Sequence, residues 1–317
     1  MTACATAPRA GARRAEGTPI ADPDGRPTRT PTRTIGPVVA RLVHISRPVL
    51  WINTIGSGVV GVWLTGTLMD VRALPVLLWL TLPFNLLIYG VNDIYDQDTD
   101  AANPRKGSIE GARIRPSEVR LIAWAVAVTN VPFLIYFGLA LPAAANAAIA
   151  LYASIFVFYS APPLRFKARP FLDSISNAAY ALPLVIVPFA LGVAPVWPAA
   201  LGLMAWSVAK HPFDAVQDIV EDREAGITTT AVRLGPRGVA LWSGSWWALS
   251  SVLFALVSVP VAVVNLAIAG LLVVRLLRDP TPATAHRLYP LSVAFPYVAG
   301  SFTGVLLTVA IFFGWYP

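Results

Sequence analysis

Cysteine is almost absent from this chain. Cys4 is its single example in 317 residues, so no intramolecular disulfide and no cysteine metal cluster can form. Charge is scarce too: Asp, Glu, Lys and Arg make up 13% of the sequence against 56% hydrophobic residues. With a mean hydropathy of +0.63, that balance excludes an ordinary soluble domain. Residues 1–40, rich in Ala, Arg, Thr and Pro, lack the apolar core of a secretory signal and read as a disordered basic tail. Arginines in such a tail touch anionic lipid headgroups. The net charge of +7 is spread over five separate segments rather than gathered on one fold, which argues against nucleic acid as a partner.

What the chain does have is long hydrophobic runs. Read in windows of roughly 20 residues, they fall near 49–69, 73–92, 119–141, 143–160, 173–193, 195–213, 237–257, 259–277 and 290–314. The expectation is an all-α integral membrane protein in which residues 41–317 form a bundle of nine transmembrane helices. With nine spans, all Lys and Arg but Arg72 fall on one side of the membrane. The positive-inside bias then predicts a multi-pass protein of the cell membrane, with its N-terminus and its acidic loops cytoplasmic.

Two acidic strips sit where apolar runs end. In the first, Asp93, Asp96 and Asp100 stand at i, i+3 and i+7 on one helical face, with Asn92 beside them and Asp98 pointing away. Asp214, Asp218 and Asp222 stand at i, i+4 and i+8 in the second, joined by Glu221. Carboxylates this close repel and, in a partly dry setting, take up protons unless a cation compensates them. An all-oxygen donor set without Cys or His favours Mg²⁺ over zinc, and Mg²⁺ usually bridges one or two carboxylates to substrate phosphates. Two facing strips can therefore clamp a diphosphate through magnesium and stabilise it as it leaves.

Basic residues accompany both strips. Arg105, Lys106, Arg113 and Arg115 follow the first, and Lys210 and Arg223 flank the second. They serve equally as phosphate ligands or as topology determinants. A diphosphate leaving an allylic carbon creates a carbocation, which needs a dry pocket faced with aromatic rings. Tyr89, Tyr95, Phe156, Phe158, Tyr159, Phe166 and Phe213 lie near the same ends of their runs, where aromatics also serve as an interfacial belt or as packing.

The two strips resemble the aspartate-rich motifs of the UbiA-type intramembrane prenyltransferases. Ser46-Arg47-Pro48, the segment 159–167, and the run 216–226 leading to Thr229 and Arg233-Leu234-Gly235 are similar to that family in the same order. The resemblance implies a helical bundle around a lipid-accessible cavity and Mg²⁺-dependent ionisation of an isoprenyl diphosphate, with transfer of the prenyl group to a hydrophobic acceptor. Position by position it implies Mg²⁺ and diphosphate roles for Asn92, Asp93, Asp96, Asp100, Asp214, Asp218 and Asp222. It further implies diphosphate contacts for Arg165 and Lys167, a site role for Tyr159, and a polar pocket position for Asn53. Residues 103–113 depart from the quinone and chlorophyll branches and resemble the lycopene elongases, which extend the ends of lycopene to C50 carotenoids.

That branch implies dimethylallyl diphosphate as donor, lycopene as acceptor and a carotenoid cyclase subunit as a membrane partner. The final tertiary cation is left open between proton loss and water capture, with no base singled out among His211, Glu110 and Glu221. An aromatic, quinone-type or chlorin acceptor is the rival within this chemistry. A cation transporter is the rival outside it, disfavoured because the acids lie at one face rather than at mid-membrane.

Overall fold

The structure, a computed structural model, describes residues 35–97 and 113–314. Cys4, Asp98, Asp100, Arg105, Lys106 and residues 103–112 of the elongase-like segment lie outside it. The described residues from 40 onward form one compact unit. Among the described residues there are helices and no strands. They are α1 Ile35–Ile45, α2 Ile55–Leu64, α3 Leu74–Trp79, α4 Leu82–Tyr95, α5 Val119–Ala140, α6 Ala143–Ser160, α7 Leu172–Ile175, α8 Pro183–Ala190, α9 Trp197–Ala215, α10 Ile219–Glu224, α11 Thr230–Ala255, α12 Val259–Arg278 and α13 Pro282–Phe312.

Six stretches are long and apolar enough to cross a membrane: Val71–Tyr95, Pro116–Ala140, Ala143–Ser160, Leu172–Ala190, Val259–Arg278 and Pro282–Phe312. The other three expected spans fall on the short segment Pro48–Leu64 and on α9 and α11. Those two helices are diluted by Ser, Gly, Trp and charged residues. Outward-facing apolar side chains mark the lipid side, with Leu139 86% and Phe312 83% exposed.

Broken helices recur, and side chains satisfy the backbone groups that each break releases. Between α3 and α4 the buried Asn85 donates to the carbonyls of Leu80 (2.9 Å) and Thr81 (2.8 Å) and to Thr54 Oγ1 (2.8 Å). Asn130 of α5 donates to the Pro83 carbonyl at 2.8 Å and accepts from the Trp79 indole at 2.9 Å. In a bilayer such carbonyls have no water to turn to. The span Leu172–Ala190 is likewise α7, a 3₁₀ segment Ser176–Ala181 and then α8, which starts at Pro183.

Two apolar clusters hold the halves of the bundle. Trp79, Phe84, Phe137, Tyr152 and Phe156 form the first, from α3 to α6. Trp206, Phe213, Trp247 and Phe295 form the second, from α9, α11 and α13. Helices from both halves line the main cavity.

Candidate active site

The first strip ends a helix. Asn92 and Asp93 lie in the last turn of α4, and Asp96 caps it with φ −106° and ψ 5°. Carboxylates at a helix C-terminus face its negative dipole end, so cations must compensate them. Asp93 is fully buried and accepts from Arg47 Nη2 at 2.7 Å, while the Lys167 ammonium lies on Asp96. Arg47 has a left-handed backbone (φ 52°) and caps the 3₁₀ turn Pro48–Asn53. Its guanidinium also sits 4.6 Å from the centre of the Tyr89 ring. Asn92 Oδ1 accepts from Ser160 Oγ at 2.8 Å, which ties the strip to the end of α6.

Lys167 stands in the 3₁₀ turn Phe166–Ala168, just after Arg165, another left-handed residue (φ 42°) that is exposed. Burial lowers the Lys167 ammonium to about 8, while Asp93 and Asp222 pull it upward. Those two carboxylates belong to different strips, so Lys167 lies within electrostatic reach of both. At neutral pH it stays mostly protonated.

The second strip is bent, contrary to the single helical face expected from its spacing. After α9 ends at Ala215, the chain tightens into a 3₁₀ turn, Val216–Asp218, and then resumes as α10. Asp214 pairs with Lys210 one turn earlier and accepts from Ser292 Oγ of α13 at 2.5 Å. Asp218 closes the 3₁₀ turn and caps α10. Asp222 accepts from Thr229 Oγ1 at 3.2 Å.

Two cavities meet at these groups. The smaller, about 240 Å³, is lined by Arg47, Asn92, Tyr159 and Ser176, among others. The larger, about 930 Å³, reaches from Lys210 and Asp214 to Trp63, Val257 and Ser258 near the other ends of the helices. Asn53 and residues of α2 and α13 are among its lining. Tyr89, Asn177, Tyr180 and His211 border both.

The donor set is carboxylate oxygen on both strips, with Asp93, Asp96, Asp214 and Asp222 each next to a basic or hydroxyl group, which is the chemistry Mg²⁺ takes. Among the described residues no three His, Cys, Asp or Glu side chains converge as a ready-made metal cage. That suits an ion completed by substrate phosphates better than one enclosed by protein.

Comparison with known proteins decides the family. The model of the UbiA prenyltransferase family matches residues 54–298. The chain belongs to that family. It is also 38% identical over 236 residues to the lycopene elongase/hydratase of Haloarcula japonica, covering 72% of this chain and 79% of that one. To the C(50) beta-cyclic carotenoids biosynthesis protein LbtBC of a Dietzia species it is 36% identical over 241 residues, 74% of this chain and 54% of the other. Among solved structures, a UbiA homologue from Archaeoglobus fulgidus bound to DMAPP and Mg²⁺ shares the fold with a TM-score of 0.64. The identity there is 20%, over 82% of this chain and 99% of that one. This UbiA-family chain is therefore an enzyme of prenyl transfer, of the type its carotenoid-modifying relatives represent.

Asn53, Asn92, Tyr159, Lys210 and Asp214 line the two cavities, Asp93 joins them through Arg47, and Asp96 is paired with Lys167. Arg165 is exposed and outside this group. The sequence places Arg47 only within a motif and does not single out Ser292 or Asp173. Asp173 is fully buried and accepts from the Thr230 amide at 2.8 Å and from the Thr230 hydroxyl, joining α7 to the start of α11. Arg47 was legible only as part of Ser46-Arg47-Pro48; nothing in the sequence tells which carboxylate it meets.

Proposed function

We infer that this enzyme transfers a dimethylallyl group from its diphosphate to the terminal double bonds of lycopene, in C45 and C50 carotenoid synthesis. The observation that carries the acceptor is the lining of the cavities. Their described cations are Arg47, paired with Asp93, and Lys210, paired with Asp214, and most of the remaining wall is hydrocarbon and aromatic. Both cations lie at the acidic strips where the diphosphate is held, so the rest of the described wall offers no cation to the carboxylate of a hydroxybenzoate-type acceptor. A hydrocarbon rod entering from the bilayer between α2 and α13 needs none. The names of the relatives support the same acceptor.

In this reading Asp93, Asp96, Asp100, Asp214, Asp218 and Asp222 hold Mg²⁺, which neutralises charge on the departing diphosphate. Asn92, Arg105, Lys106, Arg165, Lys167 and Lys210 contact the diphosphate, and Asn53 lies along the acceptor path. When the metal-bound substrate takes over the carboxylates, Lys167 and Lys210 turn to phosphate oxygens, exchanging one anion for another at little electrostatic cost. Tyr89, Tyr159 and Tyr180 face the allylic cation. Residues 41–317 form the catalytic domain and residues 1–40 a cytoplasmic tail. Pro48–Leu64, α9 and α11 complete a nine-helix bundle in the cell membrane, with the acidic strips on the cytoplasmic side. A carotenoid cyclase subunit is a fitting membrane partner for the product.

Expression in a lycopene-accumulating host, followed by mass analysis of the pigments, tests donor and acceptor together. C45 and C50 carotenoids are expected. Prenylated hydroxybenzoate from membranes supplied with dimethylallyl diphosphate and both acceptors, without any elongated carotenoid, would overturn the reading.

A further inference from the structure

We propose that Tyr159 and His211 form the proton relay that ends the reaction, His211 receiving through Tyr159 the proton released when water quenches the tertiary cation. This assignment rests on the acceptor reading above and adds the group that completes its chemistry. Tyr159 Oη lies 3.0 Å from His211 Nε2, with the two rings edge to face at 86° and 5.8 Å. His211 borders both cavities, so it stands where an allylic cation in the smaller one meets an acceptor reaching in from the larger. The smaller cavity, about 240 Å³ and faced by Asn92, Ser176, Asn177 and Tyr180, has the polar partners and the room that an ordered water requires.

Elimination leaves His211 as the base. Of the described charged groups lining these cavities, Arg47 and Lys210 are cations, and Asp214 is engaged by Lys210 and Ser292. Asp93 and Asp96 carry Arg47 and Lys167, and Asp173 is committed to Thr230. Tyr89 and Tyr180 are phenols, their hydroxyls 3.5 Å apart. Glu221 lines neither cavity and Glu110 lies outside the described residues, so among the described side chains that line these cavities the imidazole of His211 is left as the lone pair of useful basicity near neutral pH.

The step balances. Diphosphate leaves C1 of the donor with the bonding pair, and the acceptor double bond supplies the two electrons of the new carbon–carbon bond. The tertiary cation so formed takes a lone pair from water. As the water proton passes to Tyr159 Oη, the tyrosine proton passes to His211 Nε2, accepting in the tautomer protonated at Nδ1. The products are diphosphate, a hydroxylated elongated carotenoid and one proton held on His211, later returned to solvent.

The readout is the ratio of hydroxylated to alkene product, which a merely structural role would not move. Purified membranes carrying wild type, His211→Gln, His211→Ala or Tyr159→Phe are given dimethylallyl diphosphate and lycopene, and the pigments of whatever turnover remains are weighed by mass. Glutamine keeps a hydrogen-bonding group near Tyr159 without a base. The ratio is expected to fall roughly 100-fold in all three variants, and imidazole added to His211→Ala to restore part of it. Wild-type products with an unchanged ratio in His211→Gln and Tyr159→Phe would overturn the relay alone. Failure of the wild type to elongate lycopene would remove the acceptor reading and this assignment with it.

Discussion

Asp93 shows how one residue carries two meanings. Its place on α4 follows from the helical period, but its burial and its 2.7 Å contact with Arg47, 46 positions earlier, follow only from packing. Replacing it with alanine leaves the largely buried Arg47 side chain without its anion, a change that costs about 3 kcal/mol of stability by itself. Asp93→Asn keeps the volume and an oxygen that accepts from Arg47, so it perturbs the fold less than alanine does. Turnover of Asp93→Asn and of Asp218→Asn is expected to fall roughly 100-fold or more, while both still extract from membranes as folded protein. Activity within twofold of wild type in both would remove the metal roles. Asp98→Ala, at a position that helical spacing turns away from its strip, should change turnover least. Arg47 and Lys167 mark the limit of reading at this scale: the sequence shows that basic residues lie near the acids, and only the fold shows which acid each meets.

At the scale of the element, the sequence shows its apolar runs more clearly than their breaks. The expected span 143–160 coincides with α6, whose ends Pro142 and Ala161-Pro162-Pro163 advertise themselves. The bend in the second strip carries no such signal, because the run from Val216 to Asp218 is compatible with either helix type. Within α11 the chain turns at Gly235, whose φ of 67° and ψ of 171° only glycine adopts readily, followed by Pro236. A Cβ there would meet no atom within 4 Å, so the whole penalty of Gly235→Ala is backbone strain. About 1–3 kcal/mol of destabilisation is expected, seen as a fall of roughly 2–10 °C in Tm of the solubilised enzyme. An unchanged Tm would mean that the start of α11 straightens at no cost.

For the whole molecule the sharpest expectation is orientation. Cys4 is the one native thiol, so Cys4→Ser gives a clean background for labelling. Arg72→Cys, at an exposed site beside Asp70, should react with a membrane-impermeant maleimide in intact cells, and Arg223→Cys only after permeabilisation. The opposite pattern would invert the topology. Composition and the charge asymmetry of the loops determined, without any coordinates, that this is a helical membrane protein with acids at helix ends, because bilayer solvation acts on every residue according to its type alone. The tertiary structure decided what those acids face. Arg47, Lys167 and Ser292 come from segments far apart in the chain, and the seam at Tyr159 and His211 exists only because the fold brings the end of α6 to the side of α9. Such pairings depend on which breaks bend each helix toward its neighbours, and a local run of residues does not encode the position of a distant partner.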